Sequence, residues 1–145
     1  MNVFVAIPAM RGEIIDLLQS QQLPVADLPL ILTDFFVAKD AGKIVGVVGM
    51  ERYGALGLLR SMAVHPDYRN QHIAASLVEE LEKRAQSVGI QTIYLLTETA
   101  SGYFSRKGFI TAERDQVPDA VRSSSEFSHV CPVSAMVMVK DLLAP

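Results

Sequence analysis

One cysteine, Cys131, no tryptophan and three histidines stand among the 145 residues of this chain. A lone thiol excludes an internal disulfide framework and a cysteine-rich metal site, so no metal is expected. Basic residues are not in excess either. A net charge of −3 argues against a nucleic-acid partner while leaving room for a local site that takes a small anion. No apolar run approaches the length of a membrane span, so no membrane partner is expected. Residues 1–8 lack the charged start and long apolar region of a signal peptide, which makes cytoplasmic the expected location. Internal repeats, long linkers and low-complexity tracts are missing too. What remains is a chain with half its residues apolar and an ordinary charged fraction. That composition fits one globular domain, spanning 1–145, with a real core.

The most informative stretch runs from Leu58 to Gly89. Leu58 to Val64 is an apolar run of strand length, stopped by His65, Pro66 and Asp67 because proline cannot extend a sheet ladder. A basic, polar turn follows, Tyr68 to Gln71. Ile73, Ala74, Leu77, Val78, Leu81 and Ala85 then share one helical stripe, with Glu79–Lys83 and Glu80–Arg84 spaced to pair on the other face. Gly89 supplies the stop. Strand, basic turn and helix N-terminus in succession present free backbone N–H groups and the positive end of a helix dipole to an anion such as phosphate.

Along the rest of the chain, strands and helices alternate. Asn2 to Ile7 reads as a strand and Met10 to Gln21 as a helix. Leu23 to Leu32, with Pro24, Asp27 and Pro29, reads as a loop with a short helical turn. Asp34 to Lys39 and Lys43 to Arg52 read as a hairpin joined through Asp40, Ala41 and Gly42. Tyr53 to Gly57 connects tightly into the central strand. Beyond the central helix come a strand over Gln91 to Thr97, a short helix over Thr99 to Lys107 ended by Gly108, and a strand over Phe109 to Arg114. A polar segment, Gln116 to Val130, precedes a last strand over Val133 to Lys140.

Val64-x-Pro66-x-x-Arg69-x-x-His72-x-Ala74 resembles the acetyl-CoA signature of the GNAT N-acetyltransferases, Arg/Gln-x-x-Gly-x-Gly/Ala. The element order resembles that family's fold across the whole chain. The resemblance implies an α/β architecture: a mixed, mostly antiparallel sheet of about seven strands, splayed between the fourth and fifth and flanked by about four helices. It implies acetyl-CoA as co-substrate. Met62, Ala63 and Val64 would hold the pantetheine arm. Arg69, Asn70, Gln71, His72, Ile73 and Ala74 would wrap the pyrophosphate. Asn70 and His72 depart from the pattern, standing where glycine is usual. A second block, Ala100-x-x-Tyr103-Phe104-x-x-x-Gly108-Phe109, resembles the family's segment after the fifth strand. There Thr97 takes the place of an asparagine, and Phe104 that of the tyrosine which protonates the departing thiolate in many members. Phe104 has no proton to give. Tyr103, its neighbour, serves as that acid only if the helix is turned, because one residue rotates a side chain by about 100°.

Phe35-Phe36-Val37-Ala38, Gly46-x-x-Gly49-x-Glu51-x-Tyr53-Gly54, Leu58-Leu59-Arg60-Ser61 and Glu126-Phe127-x-x-x-Cys131-Pro132-x-Ser134-Ala135 together look like the arsenic-resistance branch. The resemblance implies acetylation of the α-amino group of a small amino acid, with an arsenic-containing glutamate analogue as one target. The residues themselves favour a zwitterion. A hairpin pairing Tyr53 with Leu58 sets Glu51 across from Arg60 on one face. Arg60 can then take a carboxylate bidentately while Glu51 takes the ammonium and its proton. A plain cross-strand salt bridge is the competing account of the pair. Arg114, Arg122 and Glu126 are further candidates for the substrate mouth. Two other functions stay open: a non-catalytic acetyl-CoA-binding module, suggested by His72 and Phe104, and acetylation of a protein N-terminus or lysine. The sequence also leaves a homodimer open.

Overall fold

Proline sets the first boundary. The opening strand β1, Asn2–Val5, ends two residues short of the expected Ile7, because Pro8 begins a single tight helical turn, Pro8–Met10. Helix α1, Arg11–Ser20, follows and buries Ile14, Leu17 and Leu18. The expected helical turn between Leu23 and Leu32 does not form. A hydrogen bond of 3.2 Å from the Leu28 amide to the Val25 carbonyl closes a simple turn instead. The computed structural model describes residues 2–124, 127 and 135–143. Glu126, His129 and Cys131 lie outside the described residues.

The remaining elements are β2 (Phe35–Asp40), β3 (Lys43–Tyr53), β4 (Leu56–Val64), α2 (Ile73–Ser87), β5 (Thr92–Thr97), α3 (Ser101–Arg106), β6 (Ile110–Ala112), α4 (Asp119–Arg122) and β7 (Met136–Asp141). They build a seven-stranded sheet in the order β1-β2-β3-β4-β5-β7-β6. The β1–β2, β2–β3, β5–β7 and β6–β7 ladders are antiparallel, and β4–β5 is parallel. Helix α4 corrects the reading of Gln116 to Val130 as merely polar: Pro118 opens it and Val121 anchors it in the core. Helix α3 starts two residues after Thr99. Strand β6 is shorter than Phe109 to Arg114, because Phe109 is buried against Phe104, ring centroids 5.4 Å apart.

Two compact units make up the chain. The first comprises 1–50 and 61–84. Its core gathers Ile14 and Leu18 of α1, Phe35 and Val37 of β2, and Val47 of β3. The β2–β3 hairpin turns through Ala41 and Gly42, with φ of 51° and 79°. That left-handed pair matches the twist of the strands it joins. Two glycines of β3 make room for large neighbours. A Cβ on Gly46 would lie 3.0 Å from both Ile73 and Leu77, so the bare backbone seats the first turns of α2. A Cβ on Gly49 would strike the Phe35 ring. Arg84, spaced to pair with Glu80 along the helix, reaches partners far away in sequence. Its guanidinium reaches the Thr33 carbonyl at 2.9 Å and Asp34 at 3.4 Å, and Lys83 takes both Glu79 and Glu80.

The second unit comprises 51–60 and 85–145. Its core cluster of Leu58, Val117, Val121, Phe127 and Val137 carries Tyr53, Leu56 and Tyr94 packed against it. The parallel β4–β5 ladder covers three pairs, Leu56–Thr92, Gly57–Ile93 and Leu58–Tyr94. Past Leu58 both strands continue, β4 to Val64 and β5 to Thr97. The expected splay begins there. Gly89 and Gly108 end their helices as expected, with φ of 85° and 95°.

The Gly49–Phe35 contact carries a prediction. Gly49→Ala forces a fully buried ring to move, an overpacking that costs typically about 1–3 kcal/mol. Denaturant unfolding should show that loss. A change near zero would mean that Phe35 can vacate the space freely.

Candidate active site

A turn with left-handed residues follows β4. A tight helical turn, Pro66–Tyr68, hands the chain to exposed Arg69, Asn70, Gln71 and His72, and α2 begins at Ile73. Asn70 and His72 have φ of 64° and 62°. Both hold the left-handed conformation that glycine adopts freely, so the missing glycines have not changed the path of the chain. Asparagine and histidine are among the residues that tolerate it best. The amides from Asn70 to Ala74 take no backbone partner among the described residues. Successive free N–H groups at a helix start are what a phosphate requires. The turn is braced from two sides: Tyr68 donates to Asp40 at 2.7 Å, and Arg69 donates to Gln21 at 2.6 Å. Ile73 is buried and Ala74 half-buried, so the turn contributes their backbone rather than their side chains.

Within β4 itself, Ser61 has φ of 57°, a left-handed residue inside a strand. Such a residue departs from the extended backbone of the strand just before the residues expected to meet the coenzyme. Those are Met62 and Val64, both half-buried, and Ala63, buried in the core of the first unit.

Glu51 and Arg60 meet. Arg60 Nη1 donates to Glu51 Oε2 at 2.5 Å, and Tyr53 Oη donates to Glu51 Oε1 at 2.5 Å. Both carboxylate oxygens are therefore held. Arg60 is only 3% exposed, whereas the Glu51 side chain keeps 20% of its surface open. Burial, then the hydrogen bond and charge of Glu51, push the Tyr53 phenol well above its ordinary ionisation range. The sequence marks Tyr53 as a motif position and a hairpin residue, with no part beside Glu51. The signal was there, since residues two apart on a strand share a face.

The end of β5 and the start of α3 hold the other expected residues. Thr97 Oγ1 accepts from the Ala100 amide at 3.0 Å and so shapes the approach to the helix. Phe104 is 4% exposed and wedged between Tyr103 and Phe109. The Tyr103 hydroxyl oxygen is buried, and the Lys107 ammonium lies 5.7 Å from its ring centroid.

Arg114, Asp115, Arg122 and Phe127 line an open cavity of about 370 Å³. Arg114 lies over the Phe127 ring at 5.6 Å and donates to the Ala135 carbonyl at 3.0 Å. Arg122 donates to the Asp115 carbonyl at 3.2 Å and pairs with Asp119 at 3.3 Å. Two guanidiniums beside a phenyl ring suit an anion with an apolar body. Among the described residues, no group of three or more His, Cys, Asp or Glu could hold a metal ion. Among them, too, no helix is long and apolar enough to cross a membrane.

Comparison with known proteins adds to this geometry. Residues 32–111 match the family model described as an acetyltransferase (GNAT) domain. An uncharacterized N-acetyltransferase of Chlorobaculum tepidum is 33% identical over 113 residues, covering 77% of this chain and 72% of that protein. An amino-acid acetyltransferase of Pasteurella multocida is 30% identical over 97 residues, 66% of this chain but only 22% of that protein. In fold, the chain is similar to the Neisseria gonorrhoeae N-acetylglutamate synthase, solved with coenzyme A and N-acetyl-glutamate. The TM-score is 0.85 at 18% identity, covering 99% of this chain and 35% of that one. A Mycobacterium tuberculosis protein solved with CoA gives a TM-score of 0.84 at 24% identity, covering 99% and 100% of the two chains.

The turn yields a prediction about stability. His72 already has the backbone angles of a glycine, so His72→Gly removes a left-handed penalty of about 1–2 kcal/mol. The greater freedom of glycine in the unfolded chain offsets roughly 0.5–1 kcal/mol of that gain. Thermal unfolding should show a neutral to modestly stabilised variant. A marked destabilisation would show that the imidazole itself holds the turn.

Proposed function

The chain belongs to the GNAT acetyltransferase family, and from that premise we propose that it transfers acetyl from acetyl-CoA to the α-amine of a small amino acid. The observation that carries this reading is the Glu51 carboxylate, held at both oxygens yet partly open. The relatives that are amino-acid acetyltransferases support the choice of acceptor. The arsenic-containing glutamate analogue, as one member of that class, rests on sequence motifs alone.

The proposed coenzyme site uses the left-handed turn for the pyrophosphate and the Met62–Val64 backbone for the pantetheine arm. Arg69 supplies positive charge beside the turn, and Thr97 and Phe104 stand as the coenzyme-side residues after β5. No metal has a part in the reaction as proposed.

An amino acid arrives as an ammonium, which has no lone pair. Glu51, directly or through a water, takes one proton. The free amine then attacks the thioester carbonyl, and a C–N bond forms as the carbonyl π-electrons move to oxygen. A β4 backbone N–H near Val64 is the donor proposed for that oxyanion. The attacking nitrogen gives up its extra proton to water, collapse of the intermediate breaks the C–S bond, and the thiolate takes a proton from water or from Tyr103. Most of the acceleration comes from holding the two reactants together.

Arg60 changes its part in this scheme. Buried and bonded to Glu51, it neutralises and orients the base, and the acceptor's carboxylate falls to Arg114 and Arg122 at the cavity. Glu126 remains a further candidate for that mouth.

The test is Glu51→Gln. Loss of a positioned base should lower kcat/KM by about 10²–10⁴. Activity should recover as alkaline solution supplies free amine. A loss that stays constant with pH would assign Glu51 to binding instead.

A further inference from the structure

Resting on the reading of Glu51 as the base, we infer that Tyr53 is a positioning residue for the reaction: its phenol fixes the Glu51 carboxylate from the side opposite Arg60. The two hydrogen bonds, from Tyr53 to Oε1 and from Arg60 to Oε2, are both 2.5 Å long. A carboxylate held at one oxygen pivots about that bond, because its last torsion is broad. Held at both, it keeps its plane, and the remaining lone pairs point in fixed directions. A base that must meet an ammonium proton needs that constraint.

Tyr53 is itself well held. Its ring packs against the cluster containing Leu58, Val117 and Phe127. Its oxygen takes a hydrogen bond from the Ser124 hydroxyl, and Ser124 is 5% exposed. The same Ser124 oxygen accepts from the Phe127 amide at 3.4 Å. With Ser124 donating to it, the phenol oxygen directs its own proton to Glu51. Burial and the neighbouring carboxylate keep that proton in place well beyond the ordinary range of a tyrosine. Phe127 also lines the arginine cavity. A continuous series of contacts, Phe127–Ser124–Tyr53–Glu51, thus runs from the cavity wall to the base. Tyr53 acts through Glu51, so it is not itself a catalytic residue.

The test is a double-mutant cycle with Tyr53→Phe and Glu51→Gln, read in kcat and KM with acetyl-CoA and a free amino acid. Tyr53→Phe keeps the packed ring and removes only the donor. It should lower kcat about tenfold to a hundredfold, as for loss of a hydrogen bond to a charged group, with KM for acetyl-CoA unchanged. In the Glu51→Gln background the same change should have almost no effect, because its object is gone. Full additivity of the two losses overturns the role of Tyr53 while leaving the base intact. An undiminished Glu51→Gln enzyme overturns the base reading itself. A second measurement needs no turnover. The difference in tyrosinate absorbance between wild type and Tyr53→Phe during alkaline titration should show a phenol ionising far above the usual range, and Glu51→Gln should bring it down. Ordinary ionisation in the wild type would overturn the contact.

Discussion

A guanidinium with 3% of its surface exposed has to find a negative partner, and Arg60 finds Glu51. Breaking a buried ion pair typically costs about 3–5 kcal/mol. The pair therefore locks the second unit's part of the β3–β4 connection. Everything proposed for the chemistry hangs on that lock. Glu51 keeps an open face because Arg60, not Glu51, occupies the buried end. Tyr53 then removes the remaining freedom of the carboxylate. An exposed salt bridge at the same spacing would be worth little and would position nothing.

One strand carries successive tasks along its length. Leu56 to Leu58 belong to the parallel ladder with β5, and Arg60 holds the Glu51 carboxylate. Ser61 has a left-handed backbone, and Met62 to Val64 lead to the turn proposed for the coenzyme's phosphates. The strand can do this because its pairing with β5 ends at Leu58. The turn that follows achieves a glycine path with Asn70 and His72, at a modest steric penalty borne by a braced loop.

How legible all this was in the sequence depended on the range of the interaction. Local rules found the apolar run to Val64, the proline stop and the helix from Ile73, and they read Gly89 and Gly108 as helix ends. Glu51 and Arg60 meet as expected, although the turn is tighter than the assumed pairing of Tyr53 with Leu58, since β3 ends at Tyr53 and β4 begins at Leu56. Helix α4 was hidden, because one buried valine in a stretch of serines and a proline gives no period to read. Arg84 is spaced for Glu80 along the helix, but its reach to the carbonyl of Thr33 and the carboxylate of Asp34, far away in sequence, had no local sign. The left-handed Asn70 and His72 were invisible for the opposite reason: the usual sign of that backbone is a glycine, and here other residues adopt it. Ser124 as a partner for Tyr53 required the fold.

The central claim is that an amine-accepting base and a coenzyme turn serve one reaction on free amino acids. The most direct measurement is release of CoA thiol from acetyl-CoA across free amino acids, their carboxamides and short peptides, with products checked by mass. The account predicts α-N-acetylation of free amino acids, weakened when the acceptor's carboxylate is amidated. Turnover confined to peptides or to lysine side chains would contradict it, and so would coenzyme binding with no turnover on any amine.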